Sequence, residues 1–469
     1  MNKKVATFDN GIMKSMDATE LATRIKNKEI SAKEVIECSI QRAKLCNPTI
    51  NAIAHANLDI HMDAFPAIPT KGIFAGVPTY AKDLIDVEGH PTRHGSRATS
   101  NKIARKNEKI TQQILSTGCC ILGKSTTSEF GLLPAVETLL QGPTRNPLNT
   151  DYSTGGSSGG AAALVSAGVV PFAHAADGGG SIRIPASCCG LVGLKPSRGR
   201  DIDSPTAMLP IDIVSQGILS RSVRDTANYH YAIEQFHPAA KLPSIGLVEG
   251  PSSKRLKIGL YTQTPSGIPC HDSIQKATLQ AAKFCEGLGH HVEWINAPFP
   301  QETKIDFLAY WSFLTYMLRR FGRFSFGFSF QKSKLENFST QMAKVYPKLL
   351  FDTPKIVKRL KNFSREYAGI YDSYDIIMNP VLSQPVPRIG YFGPENNFFS
   401  FIEKLSQYVN YTTVQNITGT PSISLPMAKD EHNLPIGIQF SAALGQDRKL
   451  LELAFEIEQQ KGFIPWFKA

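Results

Sequence analysis

The sequence predicts an α/β fold in which helices cover both faces of a mixed central sheet. Short apolar segments with the length of strands alternate along the chain with longer segments that have helical periodicity. This alternation continues to residue 439, so strands and helices are not segregated into separate halves. Such alternation is typical of a sheet with a helical layer on each side. The length of 469 residues permits two or three domains, but we expect one folded unit, 1–469, with insertions.

Two helices are predicted at the start of the chain. Asp17 is followed three residues later by Glu20, and Ser31 is followed in the same way by Glu34. Both pairs match the capping-box pattern, in which the first side chain caps a helix and the second reaches back to its start. We interpret both helices as scaffold.

The next segment contains a pattern that resembles a nucleotide site. Residues 72–89 predict a strand and a turn, and residues 110–116 predict a helix. Gly118–Ser125 then fits G-x-x-x-x-G-K-S, the phosphate-loop pattern. In a phosphate loop, however, a strand comes first and the residues between the glycines form an open cradle. Here a helix comes first and Cys119–Leu122 reads as a buried strand, so we do not predict nucleotide binding.

The elements after residue 200 continue the alternation of helices and strands. We predict a helix beginning near Ser222, a helix over 271–288, strands over 291–294 and 374–380, and a pair of strands over 423–426 and 435–439.

Composition argues against several classes of protein. No apolar run reaches the roughly 18 residues of a membrane span, and the first 21 residues lack the apolar region of a signal peptide, so we expect a cytoplasmic protein. The eight cysteines form no C-x-x-C pair and are expected to be reduced. No HExxH pattern occurs, and His90 and His94 are expected to be solvated loop residues rather than ligands. We therefore predict no metal site and no cofactor.

The formal charge of +11 is concentrated in one region. Residues 319–365 contain twelve Lys or Arg but only two acids, Glu336 and Asp352, and five phenylalanines are interleaved over 321–330. A basic, aromatic segment of this kind can lie on an anionic membrane or bind nucleic acid. The interpretation that we favour is a solvated helical cap whose phenylalanines face the core or the mouth of an active site.

Residues 150–200 are the most unusual part of the sequence, because two clusters of glycine and serine flank a short predicted helix and strand. The clusters are Gly155–Gly160 and Gly178–Ser181, with the helix expected over 161–165 and the strand over 169–173. A flexible linker would not be interrupted in this way. Glycine at this density indicates backbone that bends sharply or is approached closely. We interpret the two clusters as parts of one active site.

The second cluster would present consecutive backbone N–H groups just ahead of a helix. Such a nest can hold a phosphate or the oxyanion of an acyl-transfer intermediate. Ser181 favours the second, because a carbonyl carbon attacked by its Oγ would place the carbonyl oxygen among these amides. The predicted oxyanion donors are the amides of Gly178, Gly179, Gly180 and Ser181.

A nucleophilic serine requires a base. His174 is close in sequence but lies near the end of the predicted buried strand, and we do not expect it to be catalytic. Lys82 directly follows an apolar segment, and burial lowers the pKa of a lysine because it penalises the charged form. A neutral lysine serves as the base in Ser–Lys hydrolases. We therefore predict Lys82 as the base.

The segments GVPTYAKDLIDVEG, GGSSGG, DGGGSIRIPAS and GLVGLKPSRGR resemble the amidase signature family of serine hydrolases. The resemblance implies the amidase signature fold and a triad of Lys82, Ser157 in a cis peptide bond, and nucleophilic Ser181. In this triad Ser157 passes the proton of Ser181 to Lys82. Supporting roles are expected for Ser158, Asp177 and Arg183.

The resemblance also implies how the chain is divided. The catalytic core is expected at about 72–225, and about 300–370 is expected to be an insertion that covers the substrate cleft. The chain departs from the family at Ala175-Ala176-Asp177-Gly178, where members usually have Gly-Thr-Asp-Thr or Gly-Thr-Asp-Ile. Because the oxyanion donors are backbone groups, their chemistry does not depend on this change.

These observations predict an amidohydrolase that cleaves a small carboxamide, or a linear or cyclic amide, through an acyl-serine intermediate. The segments Thr144–Pro147 and HAADGGGSIRIPAS are most similar to amidases of the 6-aminohexanoate cyclic dimer hydrolase type. Alternatives are the A-type subunit of a glutamine amidotransferase, a lipid amidase acting at membranes, and a non-catalytic protein that binds anionic surfaces. We expect a small-molecule amide substrate and no nucleic acid. A homodimer is a further hypothesis, and membrane association is a hypothesis that we do not favour.

Overall fold

The computed structural model describes residues 4–59, 67–202, 204, 206–264 and 267–463. At the start of the chain lie the two predicted helices, α1 (Ala18–Lys26) and α2 (Ala32–Ile50). Asp17 caps α1 by accepting from the amide of Glu20, and Ser31 and Glu34 form the predicted capping box of α2.

A small three-stranded sheet follows. Its strands are β1 (Ile53–Ala56), β2 (Pro78–Lys82) and β3 (Cys120–Ser125), in the order β1-β3-β2, and α3 (Lys109–Leu115) precedes β3. The phosphate-loop pattern is thus mostly a strand, as predicted. Its Lys124 is buried and donates hydrogen bonds to the carboxylate of Asp83 and to the carbonyl of Ile85. The short strands β4 (Glu137–Thr138) and β5 (Gly142–Pro143) pair with each other.

The central sheet has eight strands in the order β10-β9-β11-β13-β12-β7-β8-β6. They are β6 (Phe172–Asp177), β7 (Val192–Lys195), β8 (Ser215–Ser220), β9 (Lys257–Leu260), β10 (His291–Trp294), β11 (Ile376–Pro380), β12 (Ser422–Lys429) and β13 (Pro435–Ser441). Strands β10, β9 and β11 are parallel, and the remaining pairs are antiparallel. The prediction of a mixed central sheet is confirmed.

Helices pack on both faces of this sheet. The other helices outside 300–370 are α4 (Gly159–Ser166), α5 (Arg183–Cys189), α6 (Val223–Phe236), α7 (Asp272–Gly287), α11 (Phe398–Tyr408), α12 (Thr413–Thr418) and α13 (Asp447–Lys461). On one face, Gly437 of β13 lies against Ser187 of α5 and has no room for a Cβ. On the opposite face, Ile423 and Leu425 of β12 join a hydrophobic core with α7 and α13. Side chains alternate between the faces of a strand, so each face receives its own helical layer.

The strand predicted over 169–173 is displaced. Val169 belongs to the turn after α4, where its amide donates to the carbonyl of Leu164, and β6 begins at Phe172 and continues to Asp177. The β-branched valines suggested a strand, but they fill the core beneath a turn. His174 therefore lies in the middle of β6, and Asp177 lies at its end.

Residues 300–370 contain three α-helices. They are α8 (Glu302–Phe326), α9 (Asn337–Val345) and α10 (Thr353–Ala368). Phe326 and Phe330 pack inward, as the favoured interpretation predicts. Phe321, Phe324 and Phe328 do not face the core, because these rings are exposed on the surface. None of the helices in the described ranges is long and apolar enough to cross a membrane.

Candidate active site

Lys82 ends β2 and is buried, with 1% of its surface exposed. Its Nζ donates to Ser157 Oγ at 2.7 Å, to Ser158 Oγ at 2.8 Å and to the carbonyl of Ala176 at 3.2 Å. Burial lowers the pKa of Lys82 to about 7, and the charge of Asp177 opposes this shift only in part. At neutral pH a large fraction of Lys82 therefore carries an uncharged amine with a lone pair available for a proton.

Ser157 lies in a turn that glycine makes possible. The peptide bond between Gly156 and Ser157 is cis, as the family resemblance implies. A Cβ on Gly156 would approach the amide nitrogen of Ala135 to 2.6 Å, so the loop can pass here only without a side chain. Helix α4 begins two residues after Ser157 and is buried throughout, which fixes the turn against the core.

Ser181 follows β6 and lies in the Gly178–Ser181 loop ahead of α5. The side chain is largely buried, with 8% of the residue exposed, and it lines the same cavity as Lys82 and Ser157. Within the described part of the chain, Ser181 Oγ has no hydrogen-bond partner. Thr412, from the loop before α12, donates its hydroxyl to the carbonyl of Gly179 at 2.6 Å and so holds the loop in place.

The structure corrects one of the four predicted oxyanion donors. The amide of Gly180 donates to Asp177 Oδ1 at 2.7 Å, so it is not free to bind an oxyanion. Asp177 therefore fixes the conformation of the Gly178–Ser181 loop through this hydrogen bond. The amides of Gly178, Gly179 and Ser181 have no hydrogen-bond partner among the described residues, so three donors are left for an oxyanion.

Asp177 and Arg183 form a buried ion pair below this loop. Arg183 Nε and Nη2 each donate to the Asp177 carboxylate at 2.9 Å, and neither side chain is exposed. Burial favours the neutral acid, but Arg183 and the amide of Asn416 more than offset it and hold the pKa of Asp177 well below its usual value. Asn416 Nδ2 also donates to the carbonyl of Asp177 and to that of Ile213, both at 2.9 Å. The carboxylate thus organises the start of α5.

The ring of His174 supports Lys82 by accepting a hydrogen bond from the backbone of that lysine. The amide of Lys82 donates to His174 Nδ1 at 3.2 Å, so the ring proton lies on Nε2, which donates to Gln216 Oε1 at 3.0 Å. Burial lowers the pKa of His174 to about 3, so the ring is neutral. This arrangement agrees with the prediction that His174 is not the base.

A cavity of about 890 Å³ opens onto the three residues Lys82, Ser157 and Ser181. This volume is within the range of small-molecule sites. Much of its wall is apolar. The apolar lining includes Leu84, Phe130, Leu132, Ile213, Val214, Trp311, Leu314, Leu318 and Phe326.

Helix α8 covers the oxyanion loop. A Cβ on Gly178 would lie 3.5 Å from the ring of Trp311, and one on Gly179 would lie 3.4 Å from the ring of Phe307. Both aromatic residues are on α8, so the insertion supplies one wall beside the predicted nucleophile. A Cβ at either glycine would thus be in ordinary van der Waals contact with α8, so the helix packs directly against the loop.

The prediction that His94 is a solvated loop residue is wrong. Its ring stacks on Phe130 at a centroid distance of 5.5 Å and contacts Phe326 edge-on at 4.8 Å, and it lines the cavity. Burial lowers the pKa of His94 to about 3, so it contributes a neutral surface. His90 is half-buried against His55, with the two Nδ1 atoms 3.0 Å apart. Within the described ranges, no group of three or more His, Cys, Asp or Glu residues could hold a metal ion.

Sequence reasoning missed three residues of the site: Trp311, Thr412 and Asn416. Each lies more than 100 residues from the glycine clusters and belongs to no motif that was recognised. The only available signal was indirect, since the insertion at about 300–370 was expected to cover the cleft. The structure adds that α12 contributes Asn416 directly to Asp177.

Comparison with known proteins identifies the family of the chain. The Amidase family model matches residues 34–451. A putative amidase, AmiC, of Mycobacterium leprae is 40% identical over 466 residues, which cover 99% of this chain and 98% of that protein. The 6-aminohexanoate-cyclic-dimer hydrolase of Paenarthrobacter ureafaciens is 31% identical, with 96% of this chain and 95% of the relative covered.

Solved structures show the same relationship. The structure of a 6-aminohexanoate cyclic dimer hydrolase superimposes with a TM-score of 0.86 at 27% identity, and 97% of this chain and 98% of that chain are covered. The predicted family and fold class are confirmed. The chain belongs to the amidase family, and it is an amidohydrolase that acts on carbon–nitrogen bonds.

Proposed function

We propose that Lys82, Ser157 and Ser181 form the proton relay of this amidohydrolase, with Ser181 as the nucleophile. The observation that carries the proposal is the contact of the buried Lys82 amine with Ser157 Oγ, at 2.7 Å, inside the cavity that Ser181 also lines. A lysine with a pKa of about 7 is matched to proton transfer at neutral pH. Catalytic hydrogen bonds often close only when substrate is bound, and we expect this for Ser157 and Ser181.

In the proposed acylation step, Ser157 takes the proton of Ser181 while its own proton passes to Lys82. Ser181 Oγ bonds to the amide carbon, and the electron pair of the C=O bond moves onto oxygen. The free amides of Gly178, Gly179 and Ser181 stabilise that oxyanion, each at roughly 2.7 to 4 kcal/mol in mutational terms. The C–N bond then breaks, and the leaving nitrogen takes a proton back through the relay.

Deacylation uses the same groups in the reverse direction. Water gives a proton to the relay and attacks the acyl carbon, and collapse of the second tetrahedral intermediate breaks the bond to Ser181 Oγ. The proton returns to Ser181, and the carboxylic acid leaves. Each group ends in its starting state, so one turnover consumes one amide and one water.

For the substrate, we propose a small carboxamide or a linear or cyclic amide with an apolar group beside the scissile bond. The apolar cavity wall, with Trp311 beside the oxyanion loop, supports this choice. Similarity to the 6-aminohexanoate-cyclic-dimer hydrolase favours an aminoalkanoic amide. A panel of carboxamides that differ in chain length and ring closure would discriminate among these substrates.

We further propose that 1–469 is one amidase domain with its catalytic core at about 72–225. Trp311, Leu314, Leu318 and Phe326 of α8 line the cavity, which supports the assignment of 300–370 as an insertion that covers the cleft. The eight cysteines are free thiols, in keeping with a cytoplasmic location. A homodimer is a further hypothesis that sedimentation velocity would test.

The decisive experiment replaces Ser181 with alanine. We expect Ser181→Ala to lower kcat at least about 10⁴-fold, as loss of a serine nucleophile does in other hydrolases, while circular dichroism stays unchanged. Ser166→Ala is the matched control, because Ser166 is also buried but its hydroxyl has no hydrogen-bond partner among the described residues and does not line the cavity. A fluorophosphonate probe should label Ser181 in the control and not in Ser181→Ala. Full activity of Ser181→Ala would reject the assignment.

A further inference from the structure

The end of α8 and the loop after it form an exposed, basic and aromatic surface, which we call the α8 tip (residues 319–334). Phe324 is 87% exposed and Phe328 is 94% exposed, and Phe321 is also exposed. Aromatic side chains of this size are normally buried, and clustered exposure marks a contact surface. The α8 tip therefore presents apolar surface that the fold does not bury.

Packing does not explain the outward position of these rings. Phe326 and Phe330 of the same segment turn inward, where Phe326 packs on Phe130 at 5.1 Å and Phe330 lies against Gly322. The segment thus contains phenylalanines that the core requires and others that it leaves in solvent. Phe324 and Phe328 belong to the second group, and neither lines the cavity.

The charge of the α8 tip has one sign. Its cations are the exposed Arg320, Arg323, Lys332 and Lys334 and the half-buried Arg319, and 319–334 contains no Asp or Glu. Among the described residues, none of these five side chains forms an ion pair. Arg320 instead lies over the ring of Phe321, 5.5 Å from its centroid. Exposed cations next to exposed aromatic rings are the chemistry that recognises an anionic lipid surface.

The α8 tip is also at the mouth of the active site. Ser325, Phe326 and Gly327, between Phe324 and Phe328, line the cavity that contains Ser181. Lys102, Arg105 and Lys106 line the same cavity and are exposed. A surface that attracts the α8 tip would attract these cations as well, so the cavity would open toward it.

We propose that the α8 tip docks this enzyme on an anionic lipid surface, with Phe324 and Phe328 entering the interface and the arginines contacting the headgroups. The mouth of the cavity then faces the lipid, so an amide with an apolar tail reaches the site from the bilayer. The association is peripheral and reversible, because two rings and a few cations give only modest affinity. Turnover of a water-soluble amide does not require it.

Sedimentation with vesicles tests the proposal in the full-length enzyme. We expect binding to vesicles of phosphatidylcholine and phosphatidylglycerol in equal amounts, weaker binding in high salt, and little binding to phosphatidylcholine alone. The double variant Phe324→Ser/Phe328→Ser should bind about tenfold more weakly and keep its activity on a soluble amide. Phe399→Ser is the matched control, because Phe399 is 83% exposed but lies on α11.

A second measurement separates insertion from charge attraction alone. Tryptophan placed at Phe324 should shift its emission to shorter wavelength when anionic vesicles are added, and tryptophan placed at Phe399 should not. Absence of vesicle binding, or binding that the double variant leaves intact, would overturn the proposal. A concentration-dependent increase in mass that the double variant abolishes, without vesicle binding, would also overturn it and would assign the α8 tip to contacts between protein chains.

Discussion

At the scale of single residues, the site depends on a buried lysine whose contacts are all uncharged. The hydrogen-bond partners of Lys82 are two hydroxyls and a carbonyl, so no countercharge among them offsets the burial of its ammonium form. Burial also lowers the pKa of Lys195 to about 7, but Lys195 does not line the cavity. A perturbed pKa therefore does not identify the base by itself. The contact between Lys82 and Ser157 distinguishes the two lysines.

The first prediction concerns the pH dependence of activity. The folded-state pKa of Lys82 is about 7, so below pH 7 the amine is protonated and cannot accept a proton. We expect kcat/KM to fall about tenfold per pH unit on the acid side of an apparent pKa near 7, and to level off above it. Lys82→Met should abolish activity at every pH. Lys195→Met is the control, and its kcat/KM should show the same apparent pKa as that of the unmodified enzyme. A profile of kcat/KM that is flat from pH 5 to 8 would contradict Lys82 as the base.

The second prediction concerns the ion pair that shapes the oxyanion loop. Asp177→Asn leaves the guanidinium of Arg183 buried without a countercharge, so we expect the free energy of unfolding to fall by about 3 to 5 kcal/mol in urea denaturation. Asp375→Asn removes a carboxylate from a partly exposed pair with Lys449 and should cost less than about 1 kcal/mol. Equal costs for the two variants would show that the buried pair does not stabilise the loop.

At the scale of elements, hydrogen bonds to the carboxylate of Glu129 connect the insertion to the wall of the cavity. Glu129 accepts hydrogen bonds from the hydroxyls of Ser96 and Ser339 and from the amide of Glu336, which precedes α9. The next residue, Phe130, lines the cavity. Glu129 is buried, and burial raises its pKa, while these hydrogen bonds oppose the shift. The start of α9 and the cavity wall are thus held at one point.

The third prediction tests this fastening. Glu129→Ala removes the acceptor for three donors, so we expect amide hydrogen exchange to rise at least about tenfold at the start of α9, while the strands of the central sheet keep their protection. Glu302→Ala, at the exposed first turn of α8, is the control and should change neither region. Unchanged exchange in α9 after Glu129→Ala would mean that other contacts hold the insertion.

At the scale of the whole molecule, sequence reasoning succeeded where the information was local. The helix caps at Asp17 and Ser31, the alternation of elements and the motifs around Lys82 and the glycine clusters each occupy a short stretch, and the structure has the expected elements there. It failed where packing decides. The valines at 169–170 have strand propensity but belong to a turn. His94 was expected to be solvated, but the rings of Phe130 and Phe326 leave it half-buried.

The same reasoning explains which parts of the site could not be predicted. Asn416 reaches Asp177 across 239 positions of sequence, and Trp311 reaches the oxyanion loop from an insertion that carries no motif. The amide of Gly180 was assigned to the oxyanion because the four consecutive amides are equivalent in sequence. In the structure, the carboxylate of Asp177 accepts a hydrogen bond from this amide. Only the folded arrangement distinguishes these amides.

The proposed base and nucleophile belong to different sheets, since Lys82 ends a strand of the small sheet and Ser181 follows the edge strand of the large one. The side chain that hydrogen-bonds Asp177 comes from α12, 239 positions further along the chain. During synthesis on the ribosome, we therefore expect no catalytically competent Ser181 before residue 416 has been added and α12 has folded. Turnover would then report that segments far apart in sequence have assembled.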